Sequence, residues 1–153
     1  GGLLDQCVDM VSNFVPSGKV IVSTIDKYSN KKEYKSKGGD FTNLPLTILT
    51  NGNSASASEI FSGAIRDYKI GTLVGEKTYG KGVVQTILDT GSGTALKVTV
   101  SKYYTPNGEN IHKKGIKPNV EVIYPEELKK AAYDRNKDPQ FSKALEIAKS
   151  KIK

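Results

Sequence analysis

The run SASASE at residues 54–59 sets three serines and a glutamate between an apolar stretch, LPLTILT at 44–50, and a segment with helical spacing at Ile60, Phe61, Ala64 and Ile65. A serine at such a strand-to-helix junction meets the free N–H groups and positive dipole end of a helix, which stabilise an oxyanion. A serine hydroxyl alone is a weak nucleophile and needs a neighbouring base. One histidine is present, His112, in the polar run ENIHKKG, and nothing around it separates it from an ordinary loop residue. The other candidate base is a lysine, which must shed its proton to act and therefore needs partial burial. Lys81 differs from the other lysines because Gly80 and Gly82 flank it, between apolar runs at 70–75 and 83–87. Its plainer reading is a surface loop lysine. These patterns leave open which serine reacts and with which base.

The elements that must hold these residues alternate between helix and strand. Leu3, Leu4, Cys7, Val8, Val11, Phe14 and Val15 follow a helical period over 3–15, stopped by Pro16 and Gly18. KVIVSTI at 19–25 is β-branched and predicts a strand. Residues 26–43 are polar and predict a surface excursion or hairpin. Residues 44–50 and 70–75 suit buried strands on either side of the helix that follows the serines. VVQTILDT at 83–90, the turn GSG and TALKVTVSKYYT at 94–105 predict an antiparallel hairpin. Residues 107–124 predict a loop ending in a short strand, and the tail two helices, with Asp138–Pro139 opening the second. Helices alternating with buried strands indicate an α/β core.

Composition narrows the class. A chain of 153 residues is one domain's worth, and no apolar run is long enough to span a bilayer. Cys7, the lone cysteine, excludes an internal disulfide and sits in an apolar pattern that predicts a core thiol. The net charge is +7, but the lysines are scattered without interleaved aromatics. That predicts a solvated lysine-rich surface and no nucleic-acid partner. The first residues, GGLLDQC, carry no initiator methionine, basic n-region or apolar h-region. They read as a cut inside a larger protein, so the lack of a visible leader says nothing of the parent.

Five stretches together resemble the carboxyl-terminal processing peptidases, the tail-specific serine proteases. They are GGLLDQ at 1–6, NGNSASASEIFSGAIRDY at 51–68, LVGEKTYGKGVVQT at 73–86, LKVTVSKYYTPNGENI at 96–111 and KGIKPNVEV at 114–122. The resemblance implies Ser56 as nucleophile and Lys81, 25 residues later, as base. It implies Gln85 as the residue that orients the lysine, and the backbone N–H groups of Ala57 and Gly2, rather than Gly1, as oxyanion donors. Ser54, Ser58 and Glu59 then become supporting or capping residues. Residues two apart on a helix are separated by roughly 200°, so the three serines cannot all face one site.

The implied fold is an α/β, ClpP/crotonase-like core with a β-hairpin and a helical C-terminal tail. The implied division is a protease core at 1–124, lacking the family's upstream strand of DLRxNP type and a PDZ domain, and a helical extension at 125–153 with no functional reading. The implied activity is cleavage of peptide bonds near the C-termini of protein substrates, without metal or organic cofactor. Such peptidases work outside the cytoplasm, in a periplasm or cell envelope, some from a membrane-anchored parent; homo-oligomerisation is left open. The lysine- and asparagine-rich composition points to a bacterial source. A second reading is an inactive piece, or a peptide-binding or scaffold domain of the same fold. A third, an acyl-CoA enzyme of the related crotonase type, gives no reason for a serine–lysine pair.

Overall fold

A computed structural model describes residues 1–152. Its elements run α1 (Leu4–Ser12), β1 (Val20–Asp26), β2 (Lys31–Lys35), β3 (Leu46–Thr50), α2 (Ala57–Asp67), β4 (Gly71–Gly75), β5 (Val83–Gly91), β6 (Thr94–Tyr104), β7 (Val120–Glu121), α3 (Glu126–Lys129) and α4 (Pro139–Ser150). The strands form two sheets. One is antiparallel in the order β2-β1-β6-β5, and the other parallel in the order β3-β4-β7.

The helix after the serines is the central element. α2 packs against α1, β1 and β4, so it joins the two sheets. Its Ile60, Ala64 and Ile65 meet Val8, Val11 and Val15 from the first helical segment, Ile21 and Val22 from β1, and Leu73 from β4. Strand alternation sends Leu73 and Val74 to opposite faces. Leu73 joins this core. Val74 is equally buried but lies outside it, on the sheet that α4 also covers. β4 is thus buried on both sides, as parallel strands usually are.

The expected α/β alternation and the hairpin at 26–43 are present, with two local differences in β3 and the tail. The polar excursion at 26–43 forms β2, which closes a hairpin on β1. β3 is an edge strand rather than a fully buried one, and Leu49 keeps 44% of its surface exposed. The first tail helix shrinks to the single turn of α3, none of whose residues is buried. A turn that buries none of its residues has little tertiary support to carry it further. α4 is different: Ala144 is buried, the Gln140 amide donates to the Val122 carbonyl at 2.8 Å, and Lys151 Nζ donates to Thr72 Oγ1 at 2.6 Å.

The β5–β6 hairpin carries one irregularity beside the site. Val84 pairs with Ser101 and Gln85 with Thr99, so Val100 has no partner. Such a bulge adds local twist and re-aims the residues that follow.

α4 starts as the Asp-Pro dipeptide predicts. Asp138 Oδ1 accepts from the N–H groups of Gln140 and Phe141 at 2.8 and 2.9 Å, with Pro139 in the first helical position. Asp138→Ala should lower stability by about 1 kcal/mol, read as an earlier midpoint in urea at unchanged slope. An unchanged midpoint would mean that the cap does not hold α4 on the sheet.

Candidate active site

Ser56 is the N-cap of α2 and has φ 58° and ψ −117°. L-residues rarely adopt such a backbone, at a cost on the order of 1–3 kcal/mol, and it persists only where the surroundings impose it. Here they do. The Ser56 N–H donates to Glu59 Oε2 at 3.0 Å, while the Ser56 carbonyl accepts from the N–H groups of Glu59 and Ile60 at 2.8 and 3.0 Å. The Tyr103 hydroxyl adds a bond to the same carbonyl at 3.3 Å. A serine on a sharp, strained strand-to-helix turn presents its hydroxyl clear of the sheet. Ala57 follows at the first helical position, where a backbone N–H has no intrahelical acceptor.

Glu59 holds this turn to the loop that carries Lys81. Its side chain is fully buried. Oε1 accepts from Thr78 Oγ1 at 2.5 Å and from the Gly80 N–H at 2.7 Å; Oε2 accepts from the Lys81 N–H at 2.8 Å as well as from Ser56. Among the described residues no lysine or arginine pairs with it. Its charge is held by four donors and by its place in the first turn of a helix, where the dipole favours an anion.

The rest of the lysine loop is fixed just as closely. The Gly80 carbonyl accepts from the Lys113 N–H at 2.8 Å, the Lys81 carbonyl from the Tyr103 hydroxyl, and the Gly82 carbonyl from the Tyr103 N–H at 3.2 Å. The glycines on either side of Lys81 follow from this packing. A Cβ on Gly82 would lie 2.6 Å from the His112 nitrogen, and Gly80 has φ 92° with Gly115 N 2.9 Å from where its Cβ would be.

Gly2, Ser56, Ala57, Lys81 and Gln85 all line one cavity of about 300 Å³, with Tyr103 beside them. The sequence named the first five. Gln85 Nε2 faces Thr99 Oγ1 at 3.4 Å across the hairpin. Gly1 packs onto the turn, its would-be Cβ 2.9 Å from the Ala55 carbonyl, whereas Gly2 has open space there. Ser54 and Ser58 line a separate apolar cavity of about 350 Å³ with Cys7, Met10, Leu49 and Phe61. The serines therefore divide between two adjoining cavities, Ser56 on one and Ser54 and Ser58 on the other. His112 lines neither cavity; its Nδ1 is buried behind Gly82 with no partner among the described residues.

Cys7 is a core thiol. Its Sγ donates to the Ala57 carbonyl at 3.1 Å, and burial pushes its pKa up to about 11. It is thus a weak nucleophile and a support for the Ala57 peptide. Burial, and then the charge of Glu59, raise the Tyr103 phenol above its ordinary range, so it stays a proton donor to the two carbonyls it links. Sequence reading had given Tyr103 and Thr78 no role. Neither stands in a pattern that distinguishes it from a strand or loop residue. Among the described residues no group of three or more His, Cys, Asp or Glu is placed to hold a metal ion.

Residues 1–122 match the profile of Peptidase family S41. The chain belongs to this family. It is 40% identical over 135 residues to the carboxy-terminal-processing protease of Bartonella bacilliformis, covering 88% of this chain and 31% of that protein. It is 38% identical over 147 residues to the carboxyl-terminal-processing protease of Synechocystis sp., covering 96% and 34%. Among solved structures, the photosystem II D1 C-terminal processing protease superposes with a TM-score of 0.74 at 36% identity, covering 80% of this chain and 32% of that one. The chain therefore spans about a third of the length of the relatives it matches, and their shared fold is the α/β core described above.

Replacing Glu59 tests the clamp. Glu59→Gln keeps the shape but turns one acceptor oxygen into a donor facing N–H groups. Each buried donor left unpaired costs about 1–3 kcal/mol. The variant should lose at least about 2 kcal/mol in chemical denaturation, and amide exchange at Gly80 and Lys81 should accelerate. Unchanged stability and exchange would remove Glu59 from this role.

Proposed function

We propose that the chain is the catalytic core of a serine endopeptidase that cleaves peptide bonds near the C-termini of protein substrates, with Ser56 and Lys81 as its dyad. One observation carries the reading: Ser56, Ala57, Lys81, Gln85 and Gly2 share one cavity, with the serine on a strained turn tied to the lysine loop through Glu59. Family membership and the printed activity of the relatives support it.

In this reading neutral Lys81 takes the proton of the Ser56 hydroxyl as Oγ attacks the scissile carbonyl carbon. The backbone N–H groups of Ala57 and Gly2 hold the developing oxyanion. Collapse of the tetrahedral intermediate breaks the C–N bond, and protonated Lys81 returns its proton to the leaving amine. Lys81 then activates a water molecule, which hydrolyses the acyl-enzyme. Gln85 orients the lysine amine. Residues 1–124 form the protease core, and 125–153 an extension whose α4 braces β3 and β4. The parent works outside the cytoplasm. Among the described residues no helix is long and apolar enough to cross a membrane.

With an unfolded protein substrate and the full-length protein, Ser56→Ala and Lys81→Ala should each cut turnover at least about a thousandfold while leaving the melting temperature within a few degrees. Normal cleavage by Lys81→Ala would remove the dyad. The dyad also sets the pH dependence. The base acts only after losing its proton, so kcat/KM should rise toward alkaline pH. A profile flat from about pH 6 to 10 would exclude a lysine base.

A further inference from the structure

Tyr103 lines the cavity beside the dyad, and the mechanism gives its hydroxyl no step. The residue is buried in the core that Ile60, Ala64 and Ile65 share. Its main chain is fixed as well. It stands opposite Thr24 of β1, its N–H donates to the Gly82 carbonyl at 3.2 Å, and its carbonyl accepts from Asn110 Nδ2 at 2.9 Å. The hydroxyl is thus carried on a held frame. It donates to the Lys81 carbonyl and, at 3.3 Å, to the Ser56 carbonyl. Glu59 joins the same two residues through their N–H groups. Acid and phenol therefore tie the serine turn to the lysine loop in complementary ways, one through the donors and the other through the acceptors.

The Ser56 carbonyl has a second significance. It belongs to the same peptide group as the Ala57 N–H, the proposed oxyanion donor. Resonance links the two ends of a peptide, so a donor at the oxygen draws electrons from the nitrogen and strengthens the N–H. Hydrogen bonds in such chains polarise one another by about 10–30% each. Three donors meet at this oxygen: the N–H groups of Glu59 and Ile60 at 2.8 and 3.0 Å, and the Tyr103 hydroxyl. The first two are the opening bonds of α2 itself; Tyr103 adds one from the neighbouring sheet. Burial, and then the charge of Glu59, raise its phenol above the ordinary range, so the O–H persists at the alkaline pH where Lys81 sheds its proton.

We propose that Tyr103 is a positioning residue for the reaction: its hydroxyl fixes and polarises the Ser56–Ala57 peptide, and so strengthens the contact of the Ala57 N–H with the oxyanion. The inference rests on the Ser56–Lys81 reading, with Ala57 as an oxyanion donor.

The test uses the full-length protein and Tyr103→Phe, which keeps the ring and removes the hydroxyl. On a peptide substrate kcat should fall about fivefold to tenfold, with KM within about twofold. A peptide aldehyde, to whose carbonyl carbon Ser56 Oγ adds so that its oxygen takes the oxyanion's place, should lose affinity by the same factor. Adding Tyr103→Phe to Ser56→Ala should leave affinity for the substrate peptide unchanged, and the pH profile of kcat/KM should keep its midpoint. An unchanged kcat overturns the proposal. So does a fall in kcat with full aldehyde affinity, or with a displaced pH profile, which would make Tyr103 a group acting on Lys81. Equal weakening of aldehyde and substrate peptide also overturns it, because a merely structural hydroxyl gives that result. If Tyr103→Phe does not fold, 3-fluorotyrosine at position 103 keeps the hydroxyl and makes it a stronger donor. Turnover and aldehyde affinity should then rise together, and no change in either overturns the proposal. Cleavage that persists in Ser56→Ala is a separate result, which removes the dyad reading and the proposal with it.

Discussion

The Glu59 carboxylate is the contact on which the rest of the site depends. It lies fully buried, and its four donors come from three places in the chain: the Ser56 turn, Thr78, and the backbone at Gly80 and Lys81. Those places are separated by up to 25 residues of helix, strand and loop. A charge taken out of water must be fully hydrogen-bonded or it destabilises the fold. The same requirement that keeps Glu59 tolerable therefore forces the two loops into one arrangement. The chain cannot satisfy this carboxylate without also bringing the serine turn and the lysine loop together.

The strain at Ser56 belongs to the same arrangement. A non-glycine residue at φ 58° and ψ −117° would relax if its neighbours allowed it. Its N–H is held by Glu59 and its carbonyl by the start of α2 and by Tyr103. α2 cannot shift to relieve the turn, because Ile60, Ala64 and Ile65 are packed in the core shared by α1, β1 and β4. The energy that fixes the turn is thus drawn in part from hydrophobic burial along the helix that the turn begins.

Much of this was legible in the sequence, and what was not has a common cause. The periodicity of residues 3–15, the β-branched strands, the GSG turn and the Asp138–Pro139 start are local signals, and each produced its element. The five site residues share a cavity, but they were named from a resemblance; the local patterns left serine and base undecided. Glu59 read as a capping residue, which it is on the Ser56 side. Its bonds to Thr78, Gly80 and Lys81 depend on tertiary placement that no spacing within residues 54–60 encodes. Tyr103 escaped for the same reason, since a tyrosine in a strand gives no sign of which carbonyls its hydroxyl will reach. The tail misled because PEELKKAAYDRN has a helical composition but no face that anything buries. Leu49 misled because an apolar run does not say whether its strand is central or at an edge.

A negative charge so close to a proposed lysine base calls for an electrostatic account. An acid with free lone pairs beside Lys81 would hold its ammonium in an ion pair and keep the proton on it. Glu59 is committed elsewhere. Its two oxygens receive four hydrogen bonds, three of them from backbone N–H groups whose direction is set by the chain. One of those N–H groups is that of Lys81 itself, so the acid grips the residue's main chain while its side chain lines the cavity. The device separates two tasks that would conflict in one contact: holding a lysine in place, and leaving its amine unpaired. Within the cavity the other charge is that of Lys97, which has the same sign and cannot pair with it. Among the residues that line the cleft none is a carboxylate, and Glu59 meets Lys81 through its main-chain N–H rather than its amine.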